Sequence, residues 1–109
     1  MRRIDTDELK MMMDEKRDFV LLDARSHDAY DKEHIPGALS IPSDHLGKHI
    51  LKDYDEDTTF VTYCTDLECE ASTVAARKLD RYGFKNVLEY KAGIADWKAR
   101  GNPTEKKGH

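Results

Sequence analysis

Short apolar runs alternate along the chain with segments in which apolar residues recur every three or four positions. The runs are rich in β-branched and aromatic residues and predict strands at 19–22, 39–41, 59–63 and 86–90. The segments with helical spacing predict helices at 5–16, 26–33, 43–52, 73–82 and 92–100. The run at 19–22 is continuously apolar, as expected for a strand that is buried on both faces. Strands that alternate with helices predict an α/β domain built on a parallel sheet.

Polar and small residues mark several of the predicted helix ends. Asp5 lies three positions before Glu8, a spacing typical of a helix start in which each side chain accepts a hydrogen bond from the backbone amide of the other residue. Gly83 fits the C-terminal end of the helix at 73–82. The apolar positions expected to face the core in that helix are Val74, Ala75, Leu79 and Tyr82.

The composition is that of a single globular domain. The chain has 109 residues, of which 39% are hydrophobic and 37% charged, with a net charge of −4, and this mixture is not typical of disorder. We expect one domain at 1–104 and a polar C-terminal tail at 105–109. The negative charge and the lack of a basic stripe argue against nucleic-acid binding. No stretch approaches the ~20 apolar residues of a membrane helix, and the N-terminus does not resemble a secretory signal, so we expect a cytoplasmic protein, with a monomer as the default.

Candidate chemistry gathers in the stretch VTYCTDLECEAST, residues 61–73, which holds both cysteines of the chain, Cys64 and Cys69. The stretch also carries three carboxylates and no basic residue, the carboxylates being Asp66, Glu68 and Glu70. Cys64 and Asp23 each come directly after an apolar strand, and the functional crevice of a parallel sheet lies beyond the carboxyl ends of its strands. In a reducing compartment, two nearby thiols indicate chemistry or metal binding before a structural cross-link.

Two segments resemble the signatures of rhodanese-like domains. LLDARSHDAYDKEHIPGALSIP (21–42) is similar to the first signature, a strand ending in Asp-x-Arg, then an aromatic residue and His-Ile-Pro-Gly-Ala. FVTYCTDLECEASTVAARKLDRYGFKNVLEYKAGIADWKARG (60–101) is similar to the second, in which a strand, a cysteine, a loop, a helix, a further strand and Gly-Ile-x-x-Trp follow in order. The resemblance spans nearly the whole chain. It implies a rhodanese-like α/β fold, with a central parallel sheet of about four to five strands and helices on both faces.

The resemblance also implies an activity and roles for individual residues. A sulfurtransferase of this family carries sulfane sulfur as a persulfide on the cysteine after the strand, here Cys64, and passes it from a donor to a thiol or other nucleophilic acceptor. Asp23 and Arg25 would support the active-site loop, and His34 would fix the His-Ile-Pro-Gly turn or help to position the substrate. No cofactor is implied. The loop that would curl around the sulfur consists of Thr65, Asp66, Leu67, Glu68, Cys69, Glu70 and Ala71.

The charge of the loop bears on the choice of sulfur donor. A thiolate, not a thiol, attacks sulfur, and the start of the following helix favours that anion by roughly 0.3–1 kcal/mol. Each carboxylate about 7 Å away would oppose it by roughly 0.6 kcal/mol in water-like surroundings, so we expect Asp66, Glu68 and Glu70 to point outward. Thiosulfate-using family members have a shorter loop that ends in a basic residue, where this chain has Glu70 and Ala71. We therefore expect a persulfide or polysulfide donor in preference to thiosulfate.

Three roles stay open for Cys69. Its spacing from Cys64, Cys-x4-Cys, resembles a branch of the family with a longer loop. As a resolving thiol, Cys69 would attack the persulfide on Cys64, release sulfide and leave a disulfide, which requires Cα atoms within ~4.4–6.8 Å of each other. Cys69 could instead be a small side chain packed under the helix start, or it could be the primary nucleophile.

Other classes of function fit the sequence less well. A cysteine phosphatase or arsenate reductase needs an arginine at the end of the loop, where Glu70 and Ala71 stand. His45 and His49 have the i, i+4 spacing of a metal site, but two histidines on a charged helix are more typical of a solvated surface, and we expect no metal. The serious alternative is a non-catalytic rhodanese-like module that binds a partner protein or senses redox state.

Overall fold

The computed structural model describes residues 1–107, which form a five-stranded sheet covered by helices. The strands are β1 (Arg2–Arg3), β2 (Val20–Asp23), β3 (Leu39–Ser40), β4 (Thr59–Tyr63) and β5 (Asn86–Tyr90). Their order across the sheet is β1-β5-β4-β2-β3, and every neighbouring pair is parallel. The predicted α/β fold with a parallel sheet of four to five strands is therefore confirmed, and β4 is its central strand.

Within the described residues, four α-helices connect these strands: α1 (Thr6–Asp14), α2 (His27–Lys32), α3 (Ala71–Arg81) and α4 (Gly93–Ala99). Asp5 caps α1 as predicted, because its carboxylate accepts a hydrogen bond of 2.8 Å from the amide of Glu8. The side chain of Glu8 does not complete the reciprocal pair, since it accepts a hydrogen bond of 3.1 Å from Arg2. Ser26 caps α2 through the amide of Ala29.

Two apolar layers cover the sheet, one on each face. Successive strand residues point to opposite sides, so Val61 of β4 packs into one layer and Phe60 into the other. Leu9 of α1 and Trp97 of α4 are buried in the first layer, and Leu79 of α3 is buried in the second. Helices on both faces are what a parallel sheet requires, because both of its sides are apolar.

The predicted helix at 43–52 is wrong. In its place lies a short 3₁₀-helix, Lys48–Leu51, preceded by Gly47 in an extended conformation with φ −138°. The ammonium group of Lys78 on α3 binds the carbonyl oxygen of Ser43 at 2.7 Å, so that carbonyl is taken by a tertiary contact. Helical propensity is a weak determinant, and the glycine and the lysine contact override it here.

Strand β1 and the start of α3 also differ from the prediction. No strand is predicted at Arg2–Arg3, because two charged residues carry no strand pattern, yet they pair with β5 at the edge of the sheet. Helix α3 begins at residue 71 and not at 73, and Val74, an expected core position, is 43% exposed. The buried face of α3 consists of Ser72, Thr73, Ala75, Ala76 and Leu79.

The chain beyond residue 104 pairs with the turn after α2. His34 and Glu105 form an antiparallel bridge with two backbone hydrogen bonds of 2.9 Å, and the amide of Lys107 donates to the carbonyl oxygen of Asp31 at 3.0 Å. The predicted polar tail at 105–109 thus begins with paired backbone, and its positions 108 and 109 lie outside the described residues. Between residues 1 and 107, no helix is long and apolar enough to cross a membrane.

Candidate active site

Cys64 lies at the carboxyl end of β4, where the sheet opens into a depression of about 860 Å³. Three segments form its walls: residues 24–29, residues 42–45, and part of the cysteine loop, which we define as residues 64–70, together with Ala71. Cys64 is 2% exposed, so the surrounding walls cover most of its side chain. The depression is where a molecule that reacts with Cys64 would be accommodated.

Cys64 is joined to Cys69 by a disulfide bond, with 6.2 Å between the two Cα atoms. This separation lies within the ~4.4–6.8 Å that such bonds require. The cysteine loop achieves it by curling: the amide of Cys69 donates to the carbonyl oxygen of Asp66 at 3.1 Å, and the amide of Glu68 donates to the Asp66 carboxylate at 3.0 Å. The fold therefore holds the two Cα atoms at a separation that a disulfide bond spans.

The three carboxylates of the cysteine loop lie on its outer side. Asp66, Glu68 and Glu70 are exposed, as is Thr65. Leu67, at the tip of the loop, is 67% exposed. This arrangement agrees with the charge argument, because outward carboxylates are solvated and oppose an ionised sulfur less than inward ones. The loop presents its negative charge to an approaching molecule.

A cation that the sequence reasoning missed reaches the end of the cysteine loop. Lys91 follows β5 directly, and its side chain is 13% exposed. Its Nζ donates to the carbonyl oxygen of Cys69 at 2.6 Å and lies 3.6 Å from the carboxylate of Glu70. The stretch 61–73 contains no basic residue, but the neighbouring strand supplies one in three dimensions.

The first turn of α4 packs directly on the backbone of the cysteine loop. The amide of Ile94 donates to the carbonyl oxygen of Cys64 at 3.0 Å, and the amide of Ala95 donates to that of Thr65 at 2.9 Å. Gly93 permits this approach, because its φ is +74° and a Cβ there would lie 2.6 Å from both carbonyl oxygens. Glycine is needed here for its backbone conformation and for the close contact.

Asp23, Arg25 and Tyr63 form a buried network beside Cys64. The guanidinium group of Arg25 binds both carboxylate oxygens of Asp23, at 3.0 and 2.8 Å, and the Tyr63 hydroxyl donates to the same carboxylate at 2.7 Å. Burial and the charge of Asp23 raise the pKa of Tyr63 far above its ordinary value, so the hydroxyl stays a donor. Burial lowers the pKa of Arg25, but the hydrogen bond and charge of Asp23 outweigh it and raise the pKa overall. The network fixes Tyr63, the residue that precedes Cys64.

A second buried carboxylate supports the start of α3. Glu89 of β5 is fully buried and accepts hydrogen bonds from the hydroxyls of Ser72 and Thr73 and from Arg3. Burial raises the pKa of Glu89, but these donors outweigh it and hold the pKa below its ordinary value. The hydroxyl of Thr62 donates to the carbonyl oxygen of Ser72 at 2.9 Å. The turn that follows the cysteine loop is thus tied to β4 and β5.

The histidines occupy separate places. His34 is 5% exposed, stacks on Tyr30 with 3.8 Å between ring centroids, and has its Nδ1 2.7 Å from the Tyr30 carbonyl oxygen, so it belongs to the turn and not to the depression. His45 lines the depression, 5.7 Å from the ring of His27. The predicted helix that would place His45 one turn from His49 does not form.

No group of three or more side chains suited to a metal ion occurs in the part of the chain that the structure describes.

Tyr63, Glu89 and Lys91 are the site residues that the sequence reasoning missed. Lys91 follows a parallel strand just as Cys64 does, so the rule that singled out Cys64 applies equally to Lys91. Glu89 is a charged residue within a predicted strand, and a carboxylate is rarely buried unless it is paired. No sequence signal marks the hydroxyl of Tyr63, because aromatic residues are common in buried strands.

Comparison with known proteins gives sequence relatives over most of the chain. A family model described as Rhodanese-like domain matches residues 5–100. The thiosulfate sulfurtransferase GlpE of Coxiella burnetii is 36% identical over 93 residues, which cover 82% of this chain and 79% of that protein. The putative sulfur carrier protein YrkF of Bacillus subtilis is 29% identical over 94 residues, which cover 86% of this chain and 49% of that protein. The chain therefore spans about half the length of the latter relative.

Solved structures share the fold. The BH2092 protein of Bacillus halodurans has a TM-score of 0.91 at 28% identity, covering 96% of this chain and 77% of that chain. The rhodanese-like domain of the Alr3790 protein from Anabaena sp. has a TM-score of 0.85 at 30% identity, covering 97% of this chain and 80% of that chain. Both solved structures therefore match nearly the whole of the sheet and its helices.

Proposed function

Because the chain belongs to the rhodanese-like domain family, we propose that it is a sulfurtransferase-type domain that carries sulfane sulfur as a persulfide on Cys64. The sulfur passes to a thiol or another nucleophilic acceptor. One observation carries the proposal: Cys64 lies at the carboxyl end of the central strand, in the wall of a depression, where parallel α/β sheets place their functional groups. Relatives named as a thiosulfate sulfurtransferase and as a putative sulfur carrier protein support it.

The first step forms the persulfide on reduced protein. The thiolate of Cys64 attacks the outer sulfur of a donor R–S–SH, a new S–S bond forms, the bond within the donor breaks, and R–S⁻ leaves with the electron pair. Helix α3 begins directly after the cysteine loop, and the positive end of its dipole favours an anion on Cys64. An acceptor thiolate then attacks the outer sulfur, which regenerates the Cys64 thiolate and leaves the persulfide on the acceptor.

Cys69 provides a second reaction that consumes the persulfide, in which it acts as a resolving thiol. Its thiolate attacks the Sγ of Cys64, the outer sulfur leaves as hydrosulfide, and the Cys64–Cys69 disulfide forms. Because Cys69 is oxidised while the sulfane sulfur is reduced, the step needs no outside oxidant. The Cα separation of 6.2 Å supports this role. A dithiol reductant must then restore both thiols, and the proposed cytoplasmic location provides reducing conditions. The resolving role also fits a branch of the family whose loop has the Cys-x4-Cys spacing.

The donor in this proposal is a persulfide or polysulfide, free or bound to a protein, and not thiosulfate. Three exposed carboxylates lie around the cysteines, whereas Lys91 is largely covered and lies 3.6 Å from the carboxylate of Glu70, and Arg25 is paired with the carboxylate of Asp23. The mouth of the site therefore stays negative and repels a small dianion more strongly than a monoanionic persulfide. The partners are this donor and a thiol acceptor, and the domain acts as a monomer.

A redox-sensing or protein-binding module without catalysis is the second candidate. The disulfide between Cys64 and Cys69 favours the redox-sensing role, because a cysteine pair responds to oxidation without any need for a sulfur donor. The 2% exposure of Cys64 favours the protein-binding role, in which Cys64 is a packed side chain. The two candidates differ in one property, which is whether Cys64 takes up sulfane sulfur.

Intact-protein mass spectrometry separates the two candidates. Reduced Cys69→Ser protein is exposed to polysulfide, with reduced Cys64→Ser protein as the matched control. We expect Cys69→Ser to gain the mass of one sulfur atom, removable by dithiothreitol, and Cys64→Ser to gain none. If neither protein gains mass, the sulfurtransferase proposal fails and the redox-sensing candidate replaces it. A gain confined to Cys64→Ser would make Cys69 the nucleophile.

A further inference from the structure

One short segment contacts both halves of the cysteine loop. This segment, residues 91–95, which we name the clamp segment, runs from the end of β5 into α4. Its amides at positions 94 and 95 bind the carbonyl oxygens of Cys64 and Thr65, at 3.0 and 2.9 Å. The first half of the loop is therefore fixed by backbone hydrogen bonds from the clamp segment.

The second half of the loop is fixed by a side chain of the clamp segment. The Nζ of Lys91 donates to the carbonyl oxygen of Cys69 at 2.6 Å, and to the hydroxyl of Thr73 at 3.4 Å, and it lies 3.6 Å from the carboxylate of Glu70. The hydroxyl of Thr73 in turn donates to the buried carboxylate of Glu89. Lys91 is thus held between α3 and β5, and its side chain is 13% exposed.

We infer that Lys91 is a positioning residue that holds Cys69 next to Cys64. The clamp segment fixes Cys64 through its backbone and Cys69 through Lys91, so the separation of the two thiols depends on this side chain in addition to the hydrogen bonds to Asp66. Without the ammonium group, the carbonyl oxygen of Cys69 loses its hydrogen bond to the clamp segment, and the Cys69 thiol spends less time within reach of Cys64. The consequence for persulfide resolution rests on the proposed function, but the consequence for the dithiol–disulfide equilibrium does not.

The equilibrium of the cysteine pair with glutathione tests the inference without any sulfur donor. The two thiols reduce one glutathione disulfide to two glutathione molecules and form the Cys64–Cys69 bond, so two electrons are exchanged. We expect Lys91→Met to shift the equilibrium toward the dithiol by about ten- to hundredfold, the range for loss of a hydrogen bond from a charged group. A tenfold shift raises the reduction potential by about 30 mV.

Two further variants show whether the effect belongs to the contact. Lys91→Arg keeps a charged donor and should restore the equilibrium constant most of the way to the wild-type value. If Lys91→Met acted only by destabilising the fold, arginine would not restore the equilibrium in this way. Lys98→Met removes a lysine of α4 that is 51% exposed and pairs with Glu33, not with the cysteine loop. Its dithiol–disulfide equilibrium constant should equal that of wild type. If Lys91→Met does not fold, as judged by circular dichroism of the reduced protein, Lys91→Gln takes its place, and its shift should lie between those of wild type and Met.

The inference is overturned if folded Lys91→Met or Lys91→Gln has the same equilibrium constant as wild type, or if Lys98→Met shifts as far as Lys91→Met. Sulfide release from a preformed Cys64 persulfide gives the second readout and should slow by a similar factor in Lys91→Met. If Cys64 takes up no sulfur at all, the proposed function fails, while the glutathione equilibrium still decides the role of Lys91.

Discussion

A Cβ atom at position 93 would lie 2.6 Å from the carbonyl oxygen of Cys64, so Gly93 sets how closely α4 approaches the candidate nucleophile. The distance is shorter than backbone and side-chain atoms tolerate, and the φ of Gly93, +74°, disfavours any side chain. The amide of Ile94, next along the chain, binds that same oxygen at 3.0 Å. The Gly-Ile pair of the second family signature thereby acquires a physical role, which is to anchor the start of the cysteine loop.

Gly93→Ala should destabilise the fold and loosen the cysteine loop. Gly101→Ala is the matched control, because Gly101 also has a positive φ, +79°, but no atom lies within 4 Å of its Cβ position. We expect the control to lose about 1–2 kcal/mol from backbone strain alone, and Gly93→Ala to lose a further ~1–3 kcal/mol from the clash. Urea unfolding of the reduced proteins measures both. Equal losses in the two variants would show that α4 does not need its close contact with Cys64.

Neutralising the loop carboxylates should improve the use of thiosulfate. In the triple variant Asp66→Asn, Glu68→Gln, Glu70→Gln, we expect kcat/KM for thiosulfate to rise about three- to tenfold at low salt, because each charge near the mouth contributes a few tenths of a kcal/mol of repulsion. The gain should shrink near physiological salt, where the Debye length falls to about 8 Å.

A control variant with the same change in net charge separates local from global repulsion. Asp14→Asn, Glu15→Gln and Asp18→Asn remove three exposed carboxylates outside the cysteine loop. This control should leave the thiosulfate rate nearly unchanged. If both triple variants gain equally, or if the loop variant gains nothing at low salt, the loop carboxylates do not select the donor.

Glu89→Gln should change how stability depends on pH. The pKa of Glu89 is held below its ordinary value in the folded protein by its hydrogen-bond donors, against the effect of burial. Its stabilising contribution is therefore fully present above the unfolded pKa of ~4.3 and is lost as the pH falls toward the folded pKa. We expect Glu89→Gln to be less stable than wild type at pH 7 by about 1–3 kcal/mol, and the gap to narrow below pH ~4.

Denaturant unfolding across this pH range measures the gap. Glu15→Gln, which removes an exposed carboxylate, serves as the control and should follow the wild-type profile. Parallel profiles for Glu89→Gln and wild type between pH ~3 and 7 would mean that the buried carboxylate does not contribute in its ionised form.

The sequence identifies the edge of the sheet at which the candidate chemistry occurs. Apolar runs place the ends of β2 and β4 side by side, and Asp23 and Cys64 lie there for that reason. The same reasoning extended to β5 brings in Lys91, whose role follows from topology and not from any local motif. The strands, and the residues at their carboxyl ends, can therefore be predicted from local apolar patterns in the sequence.

Features that depend on tertiary contacts are beyond local patterns. The segment 43–52 has a helical pattern, but Lys78 of α3 takes the carbonyl oxygen of Ser43, and a helix does not form there. The pairing of Cys64 with Cys69 depends on how the loop curls, which Lys91 and α4 influence from a distant part of the chain. Spacing alone leaves such a loop free to be extended or curled.

A single-turnover reaction tests the central claim most directly. Reduced wild-type protein is mixed with one equivalent of glutathione persulfide, and released sulfide and the intramolecular disulfide are counted together. We expect one sulfide and one Cys64–Cys69 disulfide for each protein molecule, with Cys69→Ser halting at the persulfide and Cys64→Ser remaining unmodified. Disulfide formation that proceeds with no release of sulfide, or a Cys64→Ser protein that turns over like wild type, would contradict a sulfur-carrying role for Cys64.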